Sequence, residues 1–336
     1  MANILVLGAG GWGTALAVTA NTGKNAVTLW SPFEEEIQAI RRAGEHKKLL
    51  PGVPVPANIA LTTQLECAEN ADLIIMAVPS FAIAETAERL SAHVKKGTLI
   101  ANAGKGLEST KYLRFSEILQ KHLPEARIVV LSGPSHAEEV GHGVPTSVVA
   151  ASQDLAAAEQ VQSMLSTPSF RLYVNDDVVG VELGGALKNV IGLAAGICDG
   201  LNMGNNTKAA LMTRGLAEIA RLGVAMGARS ETFAGLSGMG DLIVTCDSMH
   251  SRNRRAGILI GQGNTPEQAV EQVGTVEGYF AVKAARSLAK KRGVDMPIIE
   301  QCYRICYKGE EPREALKALM RRPKKHENET PWLMNQ

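Results

Sequence analysis

The sequence predicts an α/β domain with a mainly parallel sheet, followed by an all-α domain. Three observations carry that prediction. Short apolar runs alternate with longer periodic stretches through the first half, a glycine-rich turn follows the first of those runs, and beyond about residue 175 only helical periodicity remains. A chain of 336 residues also has the length of about two domains at roughly 150 residues each. The division is placed at 1–176 and 177–336.

The runs at 4–7, 26–30, 73–78, 98–101, 128–131 and 146–151 are apolar and often β-branched. Continuous apolar runs of that length suit strands covered on both faces. Between them, 14–20, 82–90 and 113–122 carry helical periodicity, and the alternation indicates βαβ units. In the second half 178–201, 208–226, 266–273, 279–292 and 298–307 read as helices. Asn175-Asp176-Asp177 suits a helix start, and Asn206-Thr207 is the expected cap of the helix after it. The stretch 323–336 is polar apart from Trp332-Leu333-Met334 and is expected to be loosely ordered.

Composition excludes several classes. Hydrophobic residues are 45% and charged residues 21%, so a packed core is expected and disorder is not. The balance of 35 basic against 34 acidic residues gives no global positive field for nucleic acid. The five cysteines form no C-x-x-C pair and, being odd in number, no closed disulfide set; they are expected as thiols in a reducing cytosol. No cluster of His, Cys and Asp has metal-ligand spacing, so no metal is expected. The chain enters its first apolar run at Ile4 without a basic segment before it, unlike a signal peptide. The longest apolar tract, 178–201, contains Glu182, Lys188 and Asp199, which suits a buried helix better than a membrane span. A cytoplasmic protein is expected.

Gly8-Ala9-Gly10-Gly11-Trp12-Gly13 matches G-x-G-x-x-G between a strand and a helix, the context that gives this pattern meaning. Gly8 permits the tight turn, Gly10 lets backbone approach a pyrophosphate, and Gly13 lets helix pack on strand. The first domain is therefore expected to be a Rossmann-type dinucleotide binder. The end of the second strand, Trp30-Ser31-Pro32, offers no carboxylate before Glu34 for a ribose 2′-hydroxyl, and no Arg or Lys lies at 26–39 for a 2′-phosphate. The choice between NADH and NADPH stays open, with NADPH preferred modestly at most.

The second half must supply the chemistry, because this fold names a cofactor and not a reaction. Glycines at 180, 184, 192, 196 and 200 share a four-residue spacing that Lys188 completes. A helix loses about 1 kcal/mol per glycine relative to alanine, so the stripe asks for a cause. Close approach of another helix would explain part of it, and close approach of ligands to Lys188 the rest. The segment 238–255 gathers a carboxylate, hydroxyls, an amide and three arginines around flexible turns, and within it Ser251-Arg252-Asn253 offers a donor set suited to a phosphate. Two loops at expected strand ends, Ala103-Gly104-Lys105-Gly106 and Gly133-Pro134-Ser135-His136-Ala137, complete the candidates. Each of these segments taken alone also reads as ordinary packing or an ordinary turn.

Together they resemble the bacterial NAD(P)-dependent glycerol-3-phosphate dehydrogenases over nearly the whole chain, in GAGGWGTALA (8–17), GKG (104–106), SGPSHA (132–137), ELGGALKNVIGLAAGICDGL (182–201), GDLIVTCDSMHSRNRR (240–255) and TVEGY (275–279). The resemblance implies reversible hydride transfer between NADPH or NADH and C2 of a small-molecule substrate, dihydroxyacetone phosphate in one direction and glycerol 3-phosphate in the other. It also implies supply of the phospholipid backbone, and it leaves room for a homodimer. It makes Lys188 the general acid/base, and Lys105, Gly133, Ser135, Asp241, Ser251, Arg252 and Asn253 substrate contacts. It makes Gly11, Trp12, Lys105, Ala137, Arg252, Val276 and Glu277 cofactor contacts, beside Gly8, Gly10 and Gly13 of the glycine turn. Gly11 stands where the family usually has Ser, and Ser31-Pro32 where many members carry a basic residue. Two other readings are a two-domain hydroxy-acid dehydrogenase and a non-catalytic dinucleotide sensor.

Overall fold

The computed structural model describes residues 1–324, 326 and 327. The chain forms two compact units, Met1–Glu108 with Leu113–Val178, and Ser109–Tyr112 with the chain from Val179 on.

The first unit runs β1 (Asn3–Leu7), α1 (Gly11–Thr22), β2 (Ala26–Trp30), α2 (Glu34–Ala43), β3 (Glu45–His46), β4 (Leu50–Pro54), β5 (Ala60–Thr62), β6 (Leu73–Met76), α3 (Ile83–Leu90), β7 (Leu99–Asn102), α4 (Phe115–His122), β8 (Arg127–Ser132), α5 (Ala137–Gly141), β9 (Thr146–Ala151), α6 (Leu155–Leu165) and β10 (Phe170–Asn175). Eight strands form one sheet in the order β10-β9-β8-β7-β6-β1-β2-β5, while β3 and β4 pair separately. All neighbours in the large sheet are parallel except β8 and β9. Successive residues of β1 feed opposite faces: Ile4 and Val6 enter one apolar cluster, Leu5 and Leu7 the other. Two buried faces explain why the strands read as unbroken apolar runs. β1 lies between β2 and β6, which is where the strand order reverses. In open α/β sheets ligands bind outside the carboxyl ends of the strands at this point. Because β1, β2, β6, β7 and β8 run in one direction, the segments after them share one edge of the sheet.

The second unit carries α7 (Val178–Gly200), α8 (Gly204–Ala225), α9 (Asp241–Asp247), α10 (Arg252–Gly261), α11 (Pro266–Val273), α12 (Glu277–Arg292), α13 (Pro297–Lys308) and α14 (Pro312–Met320). A single π-helical turn, Leu236–Gly240, leads into α9. Among the described residues α7 is the one helix long and apolar enough to cross a membrane, and 89% of that stretch is buried within the fold. The cap expected at Asn206-Thr207 is displaced. α8 already starts at Gly204, and the Thr207 hydroxyl donates back to the Met203 carbonyl, four residues earlier. Most of the tail expected to be loosely ordered lies outside the described residues.

Candidate active site

The turn between β1 and α1 is constrained at three glycines and open at the fourth. Gly8 has φ +107°, and a Cβ there would lie 2.8 Å from the Ala77 carbonyl oxygen. A Cβ on Gly13 would lie 1.9 Å from the Gly8 carbonyl oxygen, and one on Gly11 would lie 2.6 Å from that of Leu49. A Cβ on Gly10 would meet nothing within 4 Å. Gly10 caps α1 without a side chain, and the first turn holds no acidic residue. The helix start therefore presents unscreened N–H groups to open space, as a pyrophosphate requires. These residues fit a dinucleotide.

The neighbouring strand ends are tied together. The Trp12 indole N–H donates to the Ala103 carbonyl at 3.2 Å. Lys105 Nζ donates to the Gly133 carbonyl at 2.7 Å and to Ser135 Oγ at 3.3 Å, and Ser135 Oγ itself donates to Gly133 O. Gly133 has φ +138°, with Val148 Cα 3.0 Å from where its Cβ would be. Ala137 opens α5. Trp12, Lys105, Gly133 and Ser135 thus meet around the ends of β7 and β8.

At the end of β2, Ser31 is 1% exposed and its hydroxyl donates to Glu36 Oε2 at 2.5 Å. His46 Nε2 meets Glu36 Oε1 at 3.3 Å, while His46 Nδ1 accepts from the Leu49 N–H. The accepting Nδ1 assigns the proton of the neutral ring to Nε2, which donates to the carboxylate. That bond holds the Glu36 carboxyl below its ordinary range, against the opposing effect of burial.

In the second unit the Lys188 ammonium, on buried α7, donates to Asp241 Oδ1 and to Thr245 Oγ1, the latter at 2.6 Å. Asp241 opens α9, and Thr245 lies one turn along on the same face. A buried lysine needs such partners, because an unpaired buried charge costs several kcal/mol (order of magnitude). Thr245 had no role assigned from sequence; its signal was the i, i+4 spacing to Asp241.

The glycine stripe of α7 turns out to be filled by protein. A Cβ on Gly184 would lie 2.7 Å from Ser237 O, on Gly192 2.6 Å from Thr245 Cγ2, on Gly196 2.0 Å from Arg254 O, and on Gly200 2.3 Å from Ile258 O. The reciprocal glycines of α10 behave alike: Gly257 faces Leu193 O at 2.1 Å and Gly261 faces Ile197 O at 2.5 Å. Helix approach therefore accounts for these positions, and the expected clear approach along the stripe to Lys188 is corrected.

That seam fixes the start of α10. Ser251 Oγ caps the helix by accepting from Arg254 N. Arg252 follows it, exposed, with no hydrogen-bond or ion-pair partner among the described residues. Arg254 is committed to Asp199 at 2.7 Å. The buried Asn253 amide donates to Asn189 Oδ1 at 2.9 Å and accepts from Gly278 N at 2.8 Å, linking α10 to α7 and to the start of α12. Glu277 is the first residue of α12; Val276 just before it is fully buried.

Among the described residues no group of three or more His, Cys, Asp and Glu is placed to hold a metal. All five cysteines are free, and burial pushes the Cys246 thiol up to about 12. A separate cavity of about 830 Å³ includes Ile197, Arg214, Glu218, Ile298 and Cys302 in its lining, and none of the candidate site residues.

Residues 3–158 match the family model for the N-terminus of NAD-dependent glycerol-3-phosphate dehydrogenase, and residues 177–317 match its C-terminus. Glycerol-3-phosphate dehydrogenase [NAD(P)+] of Desulfitobacterium hafniense is 51% identical over 330 residues, covering 98% of this chain and 94% of that protein. The crystal structure of glycerol-3-phosphate dehydrogenase from Coxiella burnetii superposes with a TM-score of 0.91 at 36% identity, covering 96% of this chain and 99% of that one. A ketopantoate reductase from Ralstonia eutropha shares the fold alone, with a TM-score of 0.60 at 14% identity, covering 94% of this chain and 99% of that one.

Proposed function

The chain belongs to the NAD-dependent glycerol-3-phosphate dehydrogenase family, and we propose that Lys188 is the general acid/base of its reaction. It is an NAD(P)-dependent oxidoreductase. Its substrate pair is glycerol 3-phosphate and dihydroxyacetone phosphate. The observation that carries the role of Lys188 is its buried ammonium, braced by Asp241 and Thr245. Bound nicotinamide supplies or accepts the hydride at C2.

Reduction leaves negative charge on the carbonyl oxygen. Lys188 neutralises it by donating a proton, and recovers that proton from the hydroxyl in the reverse direction. Asp241 and Thr245 aim the ammonium. Arg252 and the N–H groups at the start of α10 take the substrate phosphate, with Ser251 and Asn253 shaping that helix start. Lys105, Gly133 and Ser135 complete the substrate contacts. Gly8, Gly10, Gly11, Trp12, Gly13, Lys105, Ala137, Arg252, Val276 and Glu277 hold the dinucleotide. We assign cofactor binding to 1–176 and substrate chemistry to 177–336, place the enzyme in the cytoplasm, and take its product as the backbone of phospholipids.

The test is Lys188→Met. The expected result is a fall in kcat for dihydroxyacetone phosphate of roughly 10²–10⁴-fold, with NADH and NADPH binding retained in fluorescence titrations. Met leaves the Asp241 carboxylate without its counter-charge. The double variant Lys188→Met with Asp241→Asn removes that burden and should be as inactive while folding better. A kcat near wild type in either variant would remove Lys188 from the chemistry.

A further inference from the structure

We propose that Glu36 sets the cofactor preference: its carboxylate, held at the end of β2 by Ser31 and His46, accepts the 2′-hydroxyl of the adenosine ribose and repels a 2′-phosphate, so that NADH is preferred over NADPH. The proposal rests on reading the first unit as the dinucleotide-binding part of this dehydrogenase.

In a doubly wound sheet the adenosine ribose lies beyond the end of the second strand, where NAD sites usually carry Asp or Glu. In this chain that place belongs to Ser31, a small buried side chain. Its hydroxyl reaches back to Glu36 Oε2 at 2.5 Å. Because α2 begins at Glu34, its first turn folds Glu36 back toward the strand it followed. The carboxylate thus arrives five residues after the position where sequence spacing looks for it.

Three features make Glu36 a fixed negative charge. His46 supplies a second bond, to Oε1, and holds the carboxyl below its ordinary range. The first turn of α2 favours an anion. The His46 ring is in turn held by the Leu49 N–H, and the Leu49 carbonyl lies against Gly11 in the phosphate turn. One chain of contacts therefore runs from the pyrophosphate turn to the end of β2. A carboxylate has about four lone-pair sites, so Ser31 and His46 leave acceptor capacity for a hydroxyl. Residues 26–39 contain no Arg or Lys, and Arg41 turns to the Leu61 carbonyl. Lys47 and Lys48, just after His46, are both exposed, and Lys48 lowers the Glu36 carboxyl further without a hydrogen bond to it.

The experiment is a pair of fluorescence titrations, NADH and NADPH without substrate, on the full chain and on Glu36→Gln, Ser31→Ala and Lys48→Met. The wild-type protein is expected to bind NADH at least about tenfold more tightly than NADPH. Glu36→Gln should shift that ratio toward NADPH by about 10–100-fold, the scale of removing one nearby charge from a partly solvated site. In turnover the shift should appear in the KM for each dinucleotide and not in kcat. Ser31→Ala should move the ratio the same way by less. Equal or tighter binding of NADPH by the wild type, a ratio unchanged by Glu36→Gln, or equal weakening of both dinucleotides would overturn the proposal. Control of the ratio by Lys48→Met alone would also do so. Tight NADH binding with no turnover of dihydroxyacetone phosphate would fault only the substrate reading, because the titrations measure preference without substrate.

Discussion

Replacing Gly257 by Ala tests whether the seam between α7 and α10 sets the geometry of the phosphate site. The new Cβ would lie 2.1 Å from Leu193 O, 2.8 Å from Ile197 N and 2.9 Å from Gly196 Cα. All three are backbone atoms of a buried helix, so no side chain can turn away. Restoring an ordinary contact requires the two helices to part by about 1 Å. Overpacking of this kind costs about 1–3 kcal/mol, and alanine returns about 1 kcal/mol of helix propensity, leaving a net loss of about 0–2 kcal/mol. The functional effect should be larger. Arg252 and Asn253 ride on α10, and stretching the Asn253 bonds of 2.9 and 2.8 Å by that amount breaks them. A misplacement of about 1 Å can cost about 10²-fold in rate. The assay is thermal unfolding together with steady-state reduction of dihydroxyacetone phosphate. A Tm lower by a few degrees with kcat/KM down tenfold or more is expected. A folded variant with kcat/KM within twofold of wild type would refute the claim that the seam positions the site.

Arg252→Ala should weaken use of dihydroxyacetone phosphate by about one to two decades in kcat/KM, since a hydrogen bond to a charged group contributes roughly 1.5–3 kcal/mol; equal loss with unphosphorylated dihydroxyacetone would show that Arg252 does not read the phosphate. Glu218 caps α13 by accepting from Ile298 N and Ile299 N, and burial pushes its carboxyl up to about 7 from 4.5. Between those values the native state keeps a proton that the unfolded chain has lost, so stability from this group falls as pH rises through the window and is level above it. At about 1.36 kcal/mol per pH unit the span is up to ~3 kcal/mol. Glu218→Gln should flatten that slope in urea unfolding between pH 5 and 8, and parallel curves for both proteins would contradict it.

How far the sequence was legible depended on how local each signal was. β2, β9 and α11 match their expected bounds at 26–30, 146–151 and 266–273, because apolar runs and the Thr265-Pro266 start are written in neighbouring residues. β3 and β5 have two and three residues, too short for a period to register, and β4 reads Leu50-Pro51-Gly52-Val53-Pro54, whose prolines and glycine signal a turn and not a strand. Lys188 could be singled out as a lysine among glycines on an apolar helix. The reason for those glycines could not, because Arg254 O and Ile258 O lie more than fifty residues along the chain and arrive only by folding. Glu36 escaped for a related reason: one helical turn reverses its direction, and spacing along the chain does not record the reversal.

The glycines show what geometry adds to sequence. The same letter serves two ends here, and what a Cβ would meet separates them. At Gly13, Gly196 and Gly257 it would meet backbone at 1.9, 2.0 and 2.1 Å, so glycine is there to let secondary structure touch. At Gly44 or Gly293 the space is open, but φ is +68° and +66°, so glycine is there for the turn. Gly10 belongs to neither group. Its φ is −64°, which any residue can adopt, and its Cβ direction is empty. No contact within the described residues requires glycine at that point. The remaining reason is something outside the chain that must come within contact of the backbone at the start of α1, and a pyrophosphate bound to the N–H groups there is such an object. The fingerprint therefore holds one glycine that leaves room for a ligand, set among glycines that the fold itself requires.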